Sequence, residues 1–478
     1  MIILTTDEIK FLILDLGSQH IKAGFAGEGY PRFTLPSVIA YKGKFDKPLV
    51  GYDALYSKGL DLIYPFQQRS ESFTAVWPIE PAKDLISSVM DQLGIISNEY
   101  YVLYIEPIHT DPNNTKNLVD LLKIKLNFKD VFVYKQSHLS IQESNKVSGL
   151  VIEIGHTFGS IIAYYKGFEL ENTQRLFITA GNLIVDTFVE ILNKKLPKKV
   201  SSYELTRIID KHFYLPYDYE EEQLKWDRDQ IKKFIEERTP FTQQNIKIHD
   251  ERFKLPEALF RSGLVFKNFE NIAEIIIDAV NECPIDTRQE ILTNVILTGG
   301  VSRLKGLNDR IKRELTKKFP NIEIKLLEYQ RSELVSWISA ERLCNEGIPD
   351  THPTHRRYLN FNPPGIIKKF FQELVKTENE KLWIASTFLA ERLLKAIVED
   401  IYNPNCQIHA GLEKMLAEKR ISEKQYIWTN SLRIFKNIQN NAIVADMNKT
   451  EVNDIIDCVQ ALIVSLYKEK YFSYSAKK

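Results

Sequence analysis

The chain has 478 residues, with 63 lysines and arginines balanced by 63 aspartates and glutamates. A formal net charge of zero argues against a protein whose overall field attracts nucleic acid or an anionic membrane surface. Apolar residues make up 44% and charged residues 26% of the chain, which is ordinary for a globular protein. The length allows about two to four domains.

The cysteines and the apolar runs indicate the cellular compartment of the protein. Cys283, Cys344, Cys406 and Cys458 are widely spaced and form no CxxC pair, which favours free thiols in a reducing compartment. No apolar run reaches the roughly 18 residues that a membrane-spanning helix needs. The first residues contain acids where a secretory signal is basic and then apolar. We therefore expect a cytoplasmic protein, with the nucleus as the alternative, that binds neither nucleic acid nor the membrane interior.

Short apolar runs alternate with helical patterns along the first two thirds of the chain. The runs typical of strands are residues 11–16, 38–41, 101–105, 131–134, 149–154, 161–165 and 294–298. The helical patterns between them include residues 82–93, 114–126, 182–194 and 305–318. This alternation predicts an α/β architecture with mostly parallel pairing in its centre.

Glycine turns follow several of these strands. Asp15 ends the first strand, and the bend at Gly17 and Ser18 offers backbone N–H groups that can cradle a phosphate. Residues 149–167 have the pattern of a hairpin with a second turn of this kind. The Gly299–Gly300 pair lets the backbone pass close to a flat ligand. Such turns in both halves of the chain predict a nucleotide held between two lobes.

The last quarter of the chain has a different pattern. Residues 349–365 are rich in proline and are predicted to be a linker. Beyond them the pattern is helical, with a capping box at Thr377–Glu380 before one amphipathic helix. Further helices are predicted at 409–419, 422–439 and 450–471. Residues 366–478 are therefore predicted to form an all-α bundle, whose surplus aromatic side chains leave room for a protein partner.

Four strings in the first 348 residues resemble those of actin and the actin-related proteins. They are ILDLGSQHIKAGFAGEGYPRFTLPSVI (13–39), VGYDAL (50–55), ERFKLPEALF (251–260) and NECPIDTRQEILTNVILTGGVSRLKGL (281–307). The resemblance implies a nucleotide-binding core at 1–348. It also implies that this core consists of two α/β lobes, each with an RNase H-like sheet, and holds ATP or ADP and Mg²⁺ in the cleft between them.

The resemblance also implies roles for single residues. Asp15 would act on a metal-bound water, and Lys22 would reach the phosphate oxygens. Gln136 would orient the attacking water, which is the catalytic role. The other expected nucleotide contacts are the phosphate turns and the residues flanking the sugar and base, namely Gly17, Ser18, Gly155, Thr157, Gly181, Gly299 and Gly300.

The chain departs from the family at the second phosphate turn. The family reads Asp-x-Gly-Asp-Gly there, whereas this chain begins with Glu153 and has His156 in place of the second aspartate. Ser160 stands where the family has a histidine near the attacking water, and serine is a poor base at neutral pH. We expect nucleotide binding to be retained and hydrolysis to be weak or absent. The alternative, purely structural interpretation is that Asp15 caps a turn and that His156 faces solvent.

Segments outside the cleft bear on assembly. Only residues 41–49 separate two strings that a long loop joins in conventional actin, where that loop makes the longitudinal contact of the filament. The string CPIDTR (283–288), the short loop and the altered turn are similar to the pointed-end actin-related subunit of dynactin. We expect a non-polymerising structural or capping subunit of a cytoskeletal assembly, with partners such as actin or actin-related proteins.

Other functions stay open at the level of sequence. One is a nuclear actin-related subunit of a chromatin-remodelling complex, and another is a slow ATP-dependent switch. The tail also weakly resembles HEPN-type helical domains, some of which cleave RNA with an arginine followed by a histidine. Residues 433–441 lack that histidine, so a non-enzymatic bundle is expected.

Overall fold

A computed structural model describes residues 10–43, 47–57, 59–67, 77–108, 110–228, 234–261, 263–264, 270–345, 393–402 and 408–418. The chain divides into two compact units, Met1–Ile348 and Pro349–Lys478. No helix in these stretches is both long and apolar enough to cross a bilayer.

The first lobe of the larger unit is built on a five-stranded sheet. The strands of this lobe are β1 (Lys10–Leu16), β2 (His20–Phe25), β3 (Phe33–Pro36), β4 (Ile39–Ala40), β5 (Leu49–Val50), β6 (Tyr100–Glu106) and β7 (Val131–Lys135). The sheet has the order β3-β2-β1-β6-β7, and β4 pairs with β5 in a separate ladder. β1, β2 and β3 run antiparallel, whereas β6 and β7 join the other side of β1 in parallel.

The second lobe repeats this topology. Its strands are β8 (Gly149–Ile154), β9 (Gly159–Tyr165), β10 (Phe168–Phe177), β11 (Ile235–Arg238), β12 (Asn245–Ile248), β13 (Val295–Thr298) and β14 (Leu326–Leu327). The five-stranded sheet has the order β10-β9-β8-β13-β14, again with an antiparallel half and a parallel half. The predicted parallel pairing is present between β1, β6 and β7 and between β8, β13 and β14. It was wrong for the other strands of the two sheets, which are antiparallel because turns of a few residues can join only antiparallel neighbours.

Helices pack on the two sheets. Those of the first lobe are α1 (Tyr52–Tyr56), α2 (Ile79–Leu93), α3 (Pro112–Asp120), which continues as a π-helical turn (Leu121–Lys125), and α4 (Gln136–Glu143). Those of the second lobe are α5 (Gly181–Asn193), α6 (Ser202–His212), α7 (Tyr219–Arg228), α8 (Glu251–Glu257), α9 (Ile272–Asn281), α10 (Arg288–Leu292) and α11 (Leu307–Lys318). The apolar spacing of α2 buries Leu85, Ile86 and Val89 in one core with Leu12 and Val102. The helices predicted at 182–194 and 305–318 thus appear as α5 and α11.

Helix α6 is fixed at its start by a capping box. The Ser201 hydroxyl accepts the Glu204 N–H, and the Glu204 carboxylate accepts the Ser201 N–H. The second Glu204 oxygen accepts the N–H groups of Phe241 and Thr242. This carboxylate therefore ties the first turn of α6 to the segment between β11 and β12.

Two helices connect the lobes. The chain passes into the second lobe through α4 and returns to the first through α12 (Val335–Asn345), which packs on α4 and β1. Trp337 on α12 is fully buried, and Arg342 pairs with Glu143 on α4 at 3.0 Å. These two helices therefore form the connection between the lobes.

The smaller unit is described in part and is helical there. Its helices are α13 (393–401) and α14 (Ile408–Ala417), and a Cβ on Gly411 would lie 2.3 Å from a Val398 methyl group, so the two helices cross closely. The helix predicted at 409–419 matches α14. The predicted linker 349–365, the Thr377–Glu380 cap, the helices at 422–439 and 450–471, and residues 433–441 lie outside the described residues.

A buried ion pair in the second lobe gives a stability prediction. Arg310 on α11 makes a two-armed contact with the fully buried Glu257 on α8, at 2.9 and 3.1 Å. Arg310→Met leaves this carboxylate with the half-exposed Arg261 as its partner, so we expect the core to lose on the order of 3 kcal/mol of unfolding free energy. Urea unfolding followed by tryptophan fluorescence measures this loss.

The matched control lies on the same helix. Lys317 pairs with Glu314 at the surface, so Lys317→Met is expected to change the unfolding free energy by less than about 0.5 kcal/mol. Equal effects of the two substitutions would contradict a special cost for the buried pair.

Candidate functional site

A cleft of about 390 Å³ lies between the two lobes of the larger unit. Much of its lining comes from the turn after β1, the turn after β8, helix α6, the segment after β13 and residues 331–334. The equivalent turns of the two duplicated sheets therefore meet at one site.

The turn after β1 is held by contacts to its backbone. A Cβ on Gly17 would lie 2.7 Å from the carbonyl oxygen of His20, so this tight bend requires glycine. The Ser37 hydroxyl donates to the carbonyl oxygen of Gly17 at 2.6 Å, and the Gln67 amide donates to that of Ser18 at 3.0 Å. Gly17 and Ser18 thus line the cleft in a fixed conformation.

An ion pair lies at the base of this turn. Asp15 and Lys22 are directly opposite each other across the β1–β2 ladder, and Lys22 Nζ lies 2.5 Å from Asp15 Oδ2. The two side chains are only 8% and 19% exposed, and both line the cleft. The carboxylate is therefore paired with a cation within its own hairpin.

The second hairpin has a different pair at the same place. Glu153 is opposite Ser160 across the β8–β9 ladder, as Asp15 is opposite Lys22. Ser160 Oγ lies 3.2 Å from one Glu153 oxygen, and Ser140 Oγ lies 3.3 Å from the other. Because burial dominates over these hydrogen bonds and Asp15 adds a repulsive charge, the pKa of Glu153 is raised to about 8.

Two histidines lie beside these turns. Burial lowers the pKa of His20 to about 4, with further contributions from the Lys22 charge and from His156. Burial also lowers the pKa of His156 to about 4. Both side chains line the cleft. His156 therefore does not lie on an outward-facing turn, as the purely structural interpretation of this residue had it. Both imidazoles are neutral at pH 7 in this structure.

The other end of the cleft is formed by a glycine and two ion pairs. Gly299 has a φ of 93°, and a Cβ there would lie 2.4 Å from the carbonyl oxygen of Ile154. Arg303 pairs with Asp210 of α6, and Arg331 pairs with Glu333, each at 2.6 Å. Burial raises the pKa of Asp210, and the Arg303 charge partly offsets this effect. This end is therefore polar but internally paired.

Helix α6 of the second lobe contacts the first lobe across the cleft. The Tyr203 hydroxyl donates to the carbonyl oxygen of Gln19 at 2.6 Å, and the Gln19 amide donates to the Thr206 hydroxyl at 2.8 Å. The Tyr203 ring also stacks on Tyr64 of the first lobe, with a centroid separation of 6.4 Å. These contacts join α6 directly to the first turn.

Most of the residues expected from the sequence meet at this cleft. Those that line it are Asp15, Gly17, Ser18, Lys22, Gln136, Gly155, Gly299 and Gly300. Thr157 and Gly181 do not line it: the Thr157 side chain is buried, and the Gly181 N–H donates to the carbonyl oxygen of Gly155 behind the turn. Gly181 thus supports the turn from behind.

Other lining residues were not identified from the sequence. They are the polar and aromatic side chains of the first turn, of α6 and of the segments before α11 and α12, namely Gln19, His20, Tyr203, Arg207, Arg303, Arg331 and Glu333. Gln19 and His20 adjoin the predicted turn and were within reach of the sequence argument. The others come from segments far apart in the chain.

The side chains present are a poor fit to a hydrated divalent cation. Asp15 is bonded to Lys22, and both oxygens of Glu153 contact serine hydroxyls. In the described part of the chain, no group of three or more His, Cys, Asp or Glu side chains is placed to hold a metal ion. Mg²⁺ in proteins is usually held by one or two free carboxylates and several waters.

The buried Glu153 gives a pH prediction. An ordinary glutamate titrates near 4.5, so the folded state binds more protons than the unfolded state between about pH 4.5 and 8. The stability that the protonated Glu153 contributes is present at low pH and is lost as the pH rises through 8. Relative to Glu153→Gln, a neutral isostere, the natural protein is expected to lose roughly 1 kcal/mol of stability between pH 7 and 9.

The measurement is the difference in unfolding free energy between the two proteins at several pH values. Glu28→Gln, at a partly exposed carboxylate paired with Arg32, serves as the control. A constant difference between Glu153→Gln and the natural protein from pH 6 to pH 9 would contradict the raised pKa.

Comparisons with known proteins agree with this architecture. The family model described as "Actin" matches residues 6–223 and 198–347. Actin-related protein 2 of Oryza sativa subsp. indica is 26% identical over 336 residues, which cover 67% of this chain and 84% of the relative. Actin-related protein 2 of Acanthamoeba castellanii is 25% identical over 333 residues, 66% of this chain and 83% of the relative. An actin-like protein of Neurospora crassa is 26% identical over 351 residues, which cover 70% of this chain and 90% of the relative.

The family match and the geometry cover the same part of the chain. The matched residues span both duplicated sheets and every segment that lines the cleft. The chain therefore belongs to the actin family and has the actin-like two-lobed α/β fold.

Proposed function

We propose that this chain is a non-polymerising actin-related subunit that binds ATP or ADP as a structural ligand and hydrolyses it slowly or not at all. Its role is that of a structural or capping component of a multiprotein cytoskeletal assembly. The observation that carries the proposal is the unequal pair of hairpins in the cleft. Both retain their glycine turns, but the second pairs Glu153 with Ser160 where the first pairs Asp15 with Lys22.

Nucleotide binding is supported by the form of the cleft. Two glycine turns from duplicated hairpins face one cavity, and Lys22 supplies a cation at the first turn. Gly299 brings a backbone segment against Ile154 at the end of β8. A volume of about 390 Å³ lies within the range of small-molecule sites.

Slow hydrolysis is supported by what surrounds Gln136. Ser160 takes the place of the family's histidine near the attacking water, and its hydroxyl contacts Glu153. Gln136 lines the cleft at the start of α4, but a second side chain to orient or deprotonate a water is missing at Ser160. We therefore assign Gln136 at most a residual catalytic role.

A capping role is supported by the β4–β5 ladder. Residues 41–48 are all that joins these two strands, which pair directly as Ile39 with Val50 and Ala40 with Leu49. A longer loop at this place makes the longitudinal filament contact in conventional actin. A chain with the short connection has less to offer a following subunit and ends a filament rather than extending it. The partners are actin or actin-related proteins in the cytoplasm.

Nucleotide binding is tested at the first turn. Lys22→Met removes the cation and leaves Asp15 unpaired, so we expect the Kd for ATP to rise at least about tenfold. Isothermal titration measures the Kd, and Lys47→Met at an exposed ion pair is the control. An unchanged Kd in Lys22→Met would place the nucleotide elsewhere. Steady phosphate release by the natural protein would favour a slow ATP switch instead.

The assembly role is tested by affinity purification from the native cell. Full-length protein and residues 1–348 serve as two baits, and mass spectrometry identifies what is retained. We expect actin or actin-related subunits with the full-length bait, because the short β4–β5 connection favours a terminal position in an assembly. Subunits of a chromatin remodeller would instead favour the nuclear alternative. Sedimentable filaments of the pure protein with ATP would contradict the non-polymerising role.

A further inference from the structure

The two lobes place a carboxylate at the same position of their central hairpin. Asp15 and Glu153 are each the second-last residue of a central strand, β1 and β8, and each is paired in register with the following strand. The partner of Asp15 is Lys22, and the partner of Glu153 is Ser160. The internal duplication thus shows one lobe with an ion pair and the other lobe with a neutral pair.

Two serine hydroxyls contact Glu153, and both contacts are long. Ser140 Oγ lies 2.9 Å from the carbonyl oxygen of Gln136 and 3.3 Å from Glu153 Oε1, so its single proton is divided between two acceptors. Ser160 Oγ donates to the other oxygen of Glu153 at 3.2 Å. These two hydroxyl contacts offset little of the cost of burying a charged carboxylate.

The surroundings of Glu153 agree with a neutral acid. In the described part of the chain no lysine or arginine pairs with it, and the negative charge of Asp15 disfavours a second anion. The side chain is buried, and leaving an ionised carboxylate without a cation in such a place is costly. The second hairpin therefore presents no negative charge to the cleft.

The remaining groups near the turns do not supply that charge. Asp15 is neutralised by Lys22 at 2.5 Å, and the second turn carries His156. The other carboxylates of the cleft, Asp210 and Glu333, are paired with Arg303 and Arg331 at its far end. Among the described residues that line the cleft, a hydrated divalent cation thus finds no free carboxylate where the phosphates would lie.

We propose that the cleft takes ATP or ADP as the metal-free polyphosphate, held by Lys22 and the two glycine turns, with no divalent cation bridging the nucleotide to the protein. This inference rests on the proposed nucleotide site. It identifies His156 and Ser160 as the residues that distinguish this cleft from one that binds a nucleotide with its cation.

The first test compares ATP binding with and without a divalent cation. Full-length protein is titrated with ATP in excess EDTA and again in excess Mg²⁺, and the Kd is measured by isothermal titration. We expect the two Kd values to agree within about threefold. A Kd that is at least about tenfold lower in Mg²⁺ would overturn the inference. Absence of binding in both solutions would instead overturn the proposed nucleotide site.

The second test adds the missing charge. His156→Asp places a carboxylate on the second turn, at a position that lines the cleft, and is expected to make the Kd for ATP at least about tenfold lower in Mg²⁺ than in EDTA. His156→Asn is the control, since it has nearly the same shape without the charge, and is expected to show no preference for Mg²⁺. Mn²⁺ retained with ADP, measured by electron paramagnetic resonance, gives a readout independent of affinity.

The outcomes of the second test separate cleanly. Retention of about one Mn²⁺ per chain by His156→Asp but not by His156→Asn or the natural protein supports the inference. Retention by the natural protein overturns it, because the existing side chains then suffice to hold the cation. Thermal unfolding of each variant shows whether the substituted turn is still folded.

Discussion

Each lobe has a carboxyl group at the buried end of its central strand, and the way each group is neutralised determines the chemistry of the cleft. A carboxylate at this depth needs a cation, a proton or several hydrogen bonds. The first hairpin uses a cation from the opposing strand. The second hairpin has Ser160 instead of a cation opposite Glu153, and burial outweighs the hydrogen bonds from Ser160 and from Ser140 of α4, so the pKa of Glu153 is raised to about 8. One duplicated backbone thus carries two electrostatically different turns.

The same turns also depend on tight packing of the backbone. The segment after β13 passes so close to β8 that only glycine fits at position 299, and the N-terminus of α5 supports the second turn through the Gly181 N–H. Across the cleft, Tyr203 and Thr206 of α6 bind the first turn from the opposite lobe. Glu204 also ties the start of α6 to residues 241–242.

A nucleotide-hydrolysing protein combines a cavity that binds the nucleotide with side chains that act on a water or a cation. In this cleft the two properties are separated. The glycine turns, which shape the cavity, are kept in both lobes. The polar side chains that would act on a water or a cation are altered in the second lobe at positions 153, 156 and 160. In the function that we propose, a bound nucleotide stabilises the folded core by mass action, without needing to be consumed. That behaviour suits a fixed subunit of an assembly.

The sequence by itself determined the strands, the glycine turns and the family of this chain. Asp15, Gly17 and the Gly299–Gly300 pair were identifiable because they directly follow buried apolar runs, and that local pattern survives folding. The tertiary structure alone decided the partners of the charges. Nothing in the local sequence indicates that Asp210 meets Arg303, or that Ser140 lies against Glu153. Such pairings depend on which segments the duplicated sheets bring together. Two residues that are far apart along the chain can therefore be neighbours in space.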